Sequence, residues 1–312
     1  TNVGGRQLFL ETSLNKDFLM TAPLKGALRY PAHRFVLGTF EVTTILDGTI
    51  NMGVSPPFML DESEDEIAVV AKEALIPSDQ LENNFVPTLV NTGDALVLFD
   101  TGCGHYRRDK GAGFLRERLG DAGYTPEDVD VVAFTHVHPD HIGGVYEDGA
   151  FAFRNAELVI GRQEFAAWKS GERIPPQRAE NREMFLEIIA SQEDRLRFLD
   201  DGDDVVPGVT AEAAFGHSLG HMMYRIRSED SEALIWGDVA NHYIFSVGRP
   251  RSKVAFDDDK DMAIETRIRV LESAAADSTL IIGFHMPFPS VGYVEWEGEG
   301  YRWLPATYQI RL

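Results

Sequence analysis

The sequence predicts an α/β protein built as a four-layered αββα sandwich, with two β-sheets packed face to face and helices on both outer faces. Two stretches of similar plan predict it. Residues 95–100 close a hairpin on Asp100, a helical pattern follows, and the apolar run 131–134 leads straight into His136. Residues 233–238 close another hairpin on Asp238, again before a helix and an apolar run, 280–284, that leads into His285. Two halves of β-β-α-β plan, each delivering polar residues at strand ends, suit stacked sheets covered by helices.

Taken in order, residues 1–34 read as an irregular arm and 35–312 as one domain, a length that α/β and sandwich architectures reach as a single unit. Residues 35–47 mix β-branched and aromatic side chains and stop at the turn signal Asp47-Gly48, which predicts a strand or hairpin. Residues 85–90 and 95–100 flank Asn91-Thr92-Gly93-Asp94 as a hairpin, and Phe114, Leu115 and Leu119 give a short helix closing near Gly120. A strand over 157–160 precedes helical patterning through Phe165 and Trp168, and again through Met184, Phe185, Ile188 and Ile189, with a Pro- and charge-rich connector over 171–179. Strands are expected over 195–199, 209–215, 222–226 and 233–236, a long helix over 261–276, and strands over 279–284, 291–296 and 301–304.

Hydrophobic residues at 44% and charged residues at 25% match ordinary soluble globular proteins. No apolar run approaches the roughly 18 residues of a transmembrane span, so no membrane partner is expected. A formal charge of −21 argues against nucleic acid, because an acidic surface repels phosphate backbones. The acidic runs 61–66, 200–204 and 257–259 lack the Gly-and-Glu spacing of a calcium loop and read as solvated surface without chemistry. Cys103 is the single cysteine, so an internal disulfide is excluded. Compartment stays open between cytoplasmic and exported, with the start at Thr1 compatible with removal of a signal segment.

The densest chemistry lies in Thr135-His136-Val137-His138-Pro139-Asp140-His141-Ile142-Gly143-Gly144, where three imidazoles and a carboxylate fall within six positions. Imidazole suits zinc, iron, cobalt and manganese, and the carboxylate beside a third imidazole can serve a second ion. The run follows a short buried-strand pattern, so its ligands leave a rigid strand end. One loop cannot close two metal shells. Three further strand ends complete it: His217, with His221 four residues on; Asp238 after Trp236-Gly237; and His285 after Gly283-Phe284.

In this order and spacing, His136-x-His138-x-Asp140-His141, His217, Asp238 and His285 resemble the metallo-β-lactamase-fold hydrolases. The likeness extends to the methyl parathion hydrolase-like branch through Phe40-Glu41-Val42-Thr43, Leu89-Val90-Asn91-Thr92-Gly93, Asp100-Thr101-Gly102 and Gly298-Glu299-Gly300-Tyr301-Arg302. The resemblance implies that His136, His138 and His217 hold one divalent ion, that Asp140, His141 and His285 hold the other, and that Asp238 bridges them. Zinc is the first expectation, with manganese, cobalt or iron as alternatives. A hydroxide shared by the ions is then the nucleophile, with Asp140 also hydrogen-bonding it and shuttling its proton to the leaving group. Asp100 and His221 are implied as supports outside the metal shell, and a homodimer is implied by the resembling enzymes alone. His33, His105 and His242 read as ordinary polar residues.

The ligands do not choose the substrate; the pocket must, and its aromatic and apolar candidates are Phe58, Tyr106, Trp168, Phe185, Phe245 and Phe288. The expected reaction is hydrolysis of a small apolar ester, lactone or organophosphate triester. Alternatives are hydrolytic dehalogenation of chlorinated aromatics, acyl-homoserine lactone hydrolysis, and metal-holding without turnover. Asn241 stands where acyl-homoserine lactonases of this fold usually carry a tyrosine, which counts against ordinary lactonase chemistry unless Tyr243 substitutes. Asp238 counts against β-lactam hydrolysis, and His138, where flavodiiron-type relatives have glutamate, counts against redox chemistry.

Overall fold

The computed structural model describes residues 27–53, 57–77, 80–306 and 310–311. Residues Pro31–Leu312 form one compact unit. The arm expected over 1–34 falls, up to residue 26, outside the described residues, and its expected end lies inside the first strand.

Seven strands make the first sheet, and their order in the sheet is their order in the chain: β1 (Ala32–Leu37), β2 (Phe40–Ile45), β3 (Thr88–Asn91), β4 (Leu96–Phe99), β5 (Val131–Ala133), β6 (Glu157–Gly161) and β7 (Leu196–Leu199). The second sheet repeats this with β8 (Asp204–Val206), β9 (Val209–Ala213), β10 (Met222–Ser228), β11 (Ser231–Gly237), β12 (Leu280–Gly283), β13 (Val291–Glu297) and β14 (Gly300–Pro305). Helices α1 (Glu64–Glu73), α2 (Leu115–Asp121), α3 (Pro139–Ile142), α4 (Arg162–Ser170), α5 (Ala179–Ile188) and α6 (Lys260–Asp277) connect or cover the strands.

Central strands bury both faces, and the period of two sorts their side chains between layers. Val97, Phe99, Val131, Ala133, Val159, Ala233, Ile235, Leu280 and Ile282 point between the sheets into a shared core. Leu98, Val132, Phe134, Leu158 and Ile160 point outward to meet Leu119 of α2, Phe165 and Trp168 of α4 and Phe185 of α5. On the far side Leu234, Trp236 and Ile281 meet Val270, Leu271 and Ala274 of α6. The predicted αββα layering follows.

The expected repeat appears in the pairing. Strand β4 runs antiparallel to β3 and parallel to β5, with Phe99 opposite Ala133. Strand β11 runs antiparallel to β10 and parallel to β12, with Gly237 opposite Gly283. Parallel neighbours end on the same side, so Asp100 lies beside Thr135-His136, and Asp238 beside the loop to His285. Tyr224 Oη donates to the carbonyl of Phe134 at 2.6 Å and Met222 N to that of Thr135 at 2.8 Å, tying the sheets together at this end.

Local sequence explains further elements. Ser63 caps α1 through a capping box with Glu66, and Glu64, Asp65 and Glu66 fill its first turn, so part of the acidic run 61–66 sits at a positive helix end. The helix itself was not expected, because charge masked its weak apolar pattern of Ile67 and Ala71. Among the described residues no helix is long and apolar enough to cross a membrane.

Candidate metal centre

His136 follows the end of β5, His138 caps α3, and Asp140 and His141 lie within that single turn. The turn must press against the 101–103 segment: a Cβ on Gly144 would sit 2.0 Å from the carbonyl oxygen of Thr101. Gly237, in the left-handed region at φ 55°, likewise brings Asp238 close to His221, where a Cβ would lie 2.6 Å from the ring Nε2.

The seven expected ligands converge. Ligand atoms of His136, His138 and His217 lie within 4.8 Å of one another, as do those of Asp140, His141 and His285, and those of His136, His141 and Asp238. Asp238 faces both sets: Oδ2 is 3.2 Å from His217 Nε2 and 3.1 Å from His285 Nε2, and Oδ1 is 3.4 Å from His141 Nε2. His136 Nε2, His141 Nε2 and Asp238 Oδ1 are buried without a hydrogen-bond partner among the described residues. Orphaned polar atoms this deep carry a desolvation cost, and all three aim at the space a cation would fill. The residues present therefore fit two divalent ions.

The other ring nitrogens are held from behind, which fixes each imidazole's orientation. His141 Nδ1 meets Asp100 Oδ2 at 2.8 Å, and Asp100 also accepts from the N–H and hydroxyl of Thr135, both at 2.8 Å. His285 Nδ1 meets the carbonyl of Asn84 at 2.8 Å, and His136 Nδ1 meets Thr135 Oγ1 at 3.0 Å. His221 Nε2 accepts from the backbone N–H of Asp238 at 3.0 Å, which places it behind the cluster rather than in it.

The acidic run 257–259 is a correction to the sequence reading. Asp257 is buried, meeting His217 Nδ1 at 2.9 Å and Arg267 Nη2 at 2.8 Å. The Asp258 side chain is 1% exposed, meets His138 Nε2 at 3.2 Å and accepts from Arg178 Nε at 2.9 Å. Partners from α6 and from the turn before α5 turn an apparently solvated stretch into the support of two ring nitrogens. Glu164 was missed altogether. Fully buried in the first turn of α4, it accepts from Val137 N at 3.0 Å, Ser218 Oγ at 2.6 Å and Gly220 N at 2.8 Å, clamping the two histidine loops together. Burial, outweighing those hydrogen bonds, raises its carboxyl to about 7.

The pocket expectation is also corrected. A cavity of about 330 Å³ opens on His138, Asp140, His217, Asp238 and His285, and none of the six aromatic candidates lines it. Phe58, Trp168, Phe185 and Phe245 are core residues, as large apolar side chains on amphipathic segments usually are. Trp168 serves the site from behind, its Nε1 donating to Ser218 Oγ at 2.9 Å. Tyr106 is exposed against His105, and Phe288 is half-buried. The apolar wall is instead Ile50, Met52, Phe85 and Phe256. Tyr243 packs against the core under α6 and does not line the cavity, while Asn241 Nδ2 donates to Asp238 Oδ2 at 3.0 Å. His33 lies in β1, His105 is exposed, and His242 is buried beside Phe58 and Phe245.

Charge divides the cluster. Burial, reinforced by Arg178, depresses His138 to about 4 despite Asp258, and burial with the neighbouring histidines holds His136 well below its ordinary value. Burial opposes protonation of His285 too, but the carboxylates of Asp238 and Asp140 outweigh it and push that ring up to about 10. His141 is likewise raised by Asp238, Asp100 and Asp140 against burial. In the metal-free protein two imidazolium ions thus face the carboxylates. Metal loading at pH 7 is expected to release protons, with affinity rising as pH approaches 10, the value to which His285 is pushed. Titration calorimetry in buffers of different ionisation enthalpy checks this, and zero proton release at pH 7 would contradict it. The sign for metal-free stability is opposite: the His285 contribution is complete below 6.5 and is lost as pH rises through about 10.

A sandwich of two seven-stranded sheets with this cluster at its edge defines a class of metal-binding α/β proteins. The chain belongs to the metallo-beta-lactamase superfamily, whose family model matches residues 87–285. An N-acyl homoserine lactonase of Bacillus cereus is 33% identical over 109 residues, covering 35% of this chain and 37% of that relative's length. Among solved structures, AidC, a dizinc quorum-quenching lactonase in complex with the product N-hexanoyl-L-homoserine, superposes with a TM-score of 0.84 at 24% identity, covering 89% of this chain and 98% of AidC. The hydrolase AbOPH of the beta lactamase superfamily superposes with a TM-score of 0.84 at 26% identity, covering 91% and 100%.

Proposed function

We propose that the chain is a dinuclear metal-dependent hydrolase acting on small, largely apolar esters, lactones or organophosphate triesters. The observation that carries this reading is Asp238, whose two carboxylate oxygens face both sets of histidines at the floor of an open cavity. Two divalent cations, zinc in the first instance, would supply Lewis acidity and a water acidified into a nucleophile near neutral pH. His136, His138 and His217 would hold one, Asp140, His141 and His285 the other, and Asp238 both.

Each remaining role belongs to a side chain. Asp140 is the one carboxylate of the cluster with substantial access to the cavity, its side chain 26% exposed, and from there it can take a proton and return it to the leaving group. Its orientation is set by His285 and His141, whose Nε2 atoms lie 3.4 and 3.6 Å from Oδ2. Asn241 lines the cavity and donates from Nδ2 to Asp238, and it offers no phenolic hydroxyl of the kind a tyrosine there would bring to a substrate carbonyl. Ile50, Met52, Phe85 and Phe256 receive the apolar body of the substrate and exclude water. The homoserine lactonases among the relatives support placing lactones beside aryl esters in the first substrate panel.

Chelator-treated protein is expected to lose aryl-ester and lactone turnover and to recover it with zinc, cobalt or manganese, with about two ions per chain by elemental analysis. Full turnover after complete metal removal would refute the reading.

A further inference from the structure

We infer that this site takes substrates that carry a carboxylate remote from the bond being hydrolysed, recognised by Arg107 and Lys110. The inference rests on the hydrolase reading above and narrows its substrate class. It starts from the charge of the lining. Acidic residues outnumber basic ones 50 to 29 in the whole chain, yet apart from Asp140 and Asp238 every charged residue lining the cavity is basic: Arg107, Lys110 and Arg178. Those two aspartates belong to the cluster and face its histidines. With cations in place, the cavity is a positive basin in a strongly negative molecule, and such a field attracts anions that the outer surface repels.

Arg107 and Lys110 stand three residues apart on the 3-10 helix Gly104–Lys110, and that spacing puts side chains on one side of such a helix. Arg108, between them, points elsewhere and pairs with Glu147. Neither Arg107 nor Lys110 makes an ion pair with a described residue, although both are exposed in a chain rich in carboxylates. The turn is anchored: Asp47, fully buried, accepts from Cys103 N at 3.1 Å, Gly113 N at 2.8 Å and Leu115 N at 2.8 Å, bracketing the turn at both ends. Arg178, elsewhere on the lining, is already committed to Asp258 through Nε. Two cations without an ion-pair partner among the described residues, on an anchored segment that lines the same cavity as the cluster and its apolar wall, suit an anionic group at the far end of a short substrate.

The test compares straight-chain dicarboxylates, succinate to suberate, with monocarboxylates of equal length, binding to zinc-loaded protein by calorimetry. One carboxylate of each compound meets the metal cluster, so the difference isolates the second. At one or more lengths the dicarboxylate is expected to bind about tenfold tighter, with the ratio falling to about two or below in R107Q/K110Q and shrinking as salt rises. Equal affinities at every length, or a ratio unchanged in the double variant, would overturn the inference. A kinetic arm compares mono-4-nitrophenyl adipate with 4-nitrophenyl hexanoate, and the same ratio is expected in kcat/KM. A dicarboxylate advantage in binding without turnover of any ester would support this recognition and sink the hydrolase reading. Turnover of both esters at equal kcat/KM, with equal affinities, would sink this inference alone.

Discussion

Asp238→Asn is expected to weaken binding of both cations and to lower turnover by more than about 100-fold, because loss of even an outer residue that orients a ligand costs about 10–100-fold. The reason lies in which atoms face inward. Oδ2 lies within 3.2 Å of His217 and His285, and Oδ1 faces His141 at 3.4 Å, so both positions must accept. Asparagine replaces one acceptor with an amide donor and removes the negative charge. His285, held at about 10 chiefly by Asp238 against burial, would fall toward its ordinary value, so the variant would also release fewer protons on metal loading. Metal content after equilibration with a competing chelator, measured beside thermal unfolding, separates this from misfolding. Wild-type affinity for two ions would remove Asp238 from the centre of the site.

Arg267→Met is expected to destabilise the fold by about 3–5 kcal/mol, the usual cost of breaking a buried ion pair from one side. Arg267 is fully buried in α6 and donates to the carbonyls of Val239 at 3.0 Å, Pro250 at 3.3 Å and Ser252 at 3.1 Å, as well as to Asp257. Without it, Asp257 becomes a buried charge whose remaining side-chain partner among the described residues is His217. Adding Asp257→Asn should therefore cost much less than the sum of the two single changes, and urea unfolding of the four forms measures that coupling. Strict additivity would show that the pair does not act as a unit. His217 gives a second readout: Asp257→Asn takes away the carboxylate behind its Nδ1 and is expected to weaken metal binding, whereas Arg267→Met leaves that contact in place.

These two residues mark the limit of what the sequence discloses. The convergence of the seven candidate residues was legible because four of them crowd one short loop after an apolar strand, and His217, Asp238 and His285 each follow another, where a buried strand end fixes what comes next in space. Asp257 and Asp258 were not legible, because three consecutive aspartates look the same whether water or an arginine faces them. Their partners, Arg267 and Arg178, lie ten and eighty residues away and are brought in by packing alone. Glu164 carried no signal either, since a glutamate in a helix's first turn ordinarily faces solvent. The cavity wall misled for a different reason: the large aromatics expected there went mostly to the core, whereas the wall comes from the paired strands Gly48–Met52 and Leu81–Phe85 and from Phe256 in the loop before α6.

The bonds from Tyr224 to the Phe134 carbonyl and from Met222 to the Thr135 carbonyl join the second sheet to the two residues just before His136. The first sheet supplies His136 through His141, and the second supplies His217, Asp238 and His285, so the cluster acts as a gauge of how far one sheet has slid across the other. Those two bonds set the gauge's zero within one residue of the first ligand. A cation seated there becomes a cross-tie between the halves, and its binding free energy adds directly to the cohesion of the sandwich.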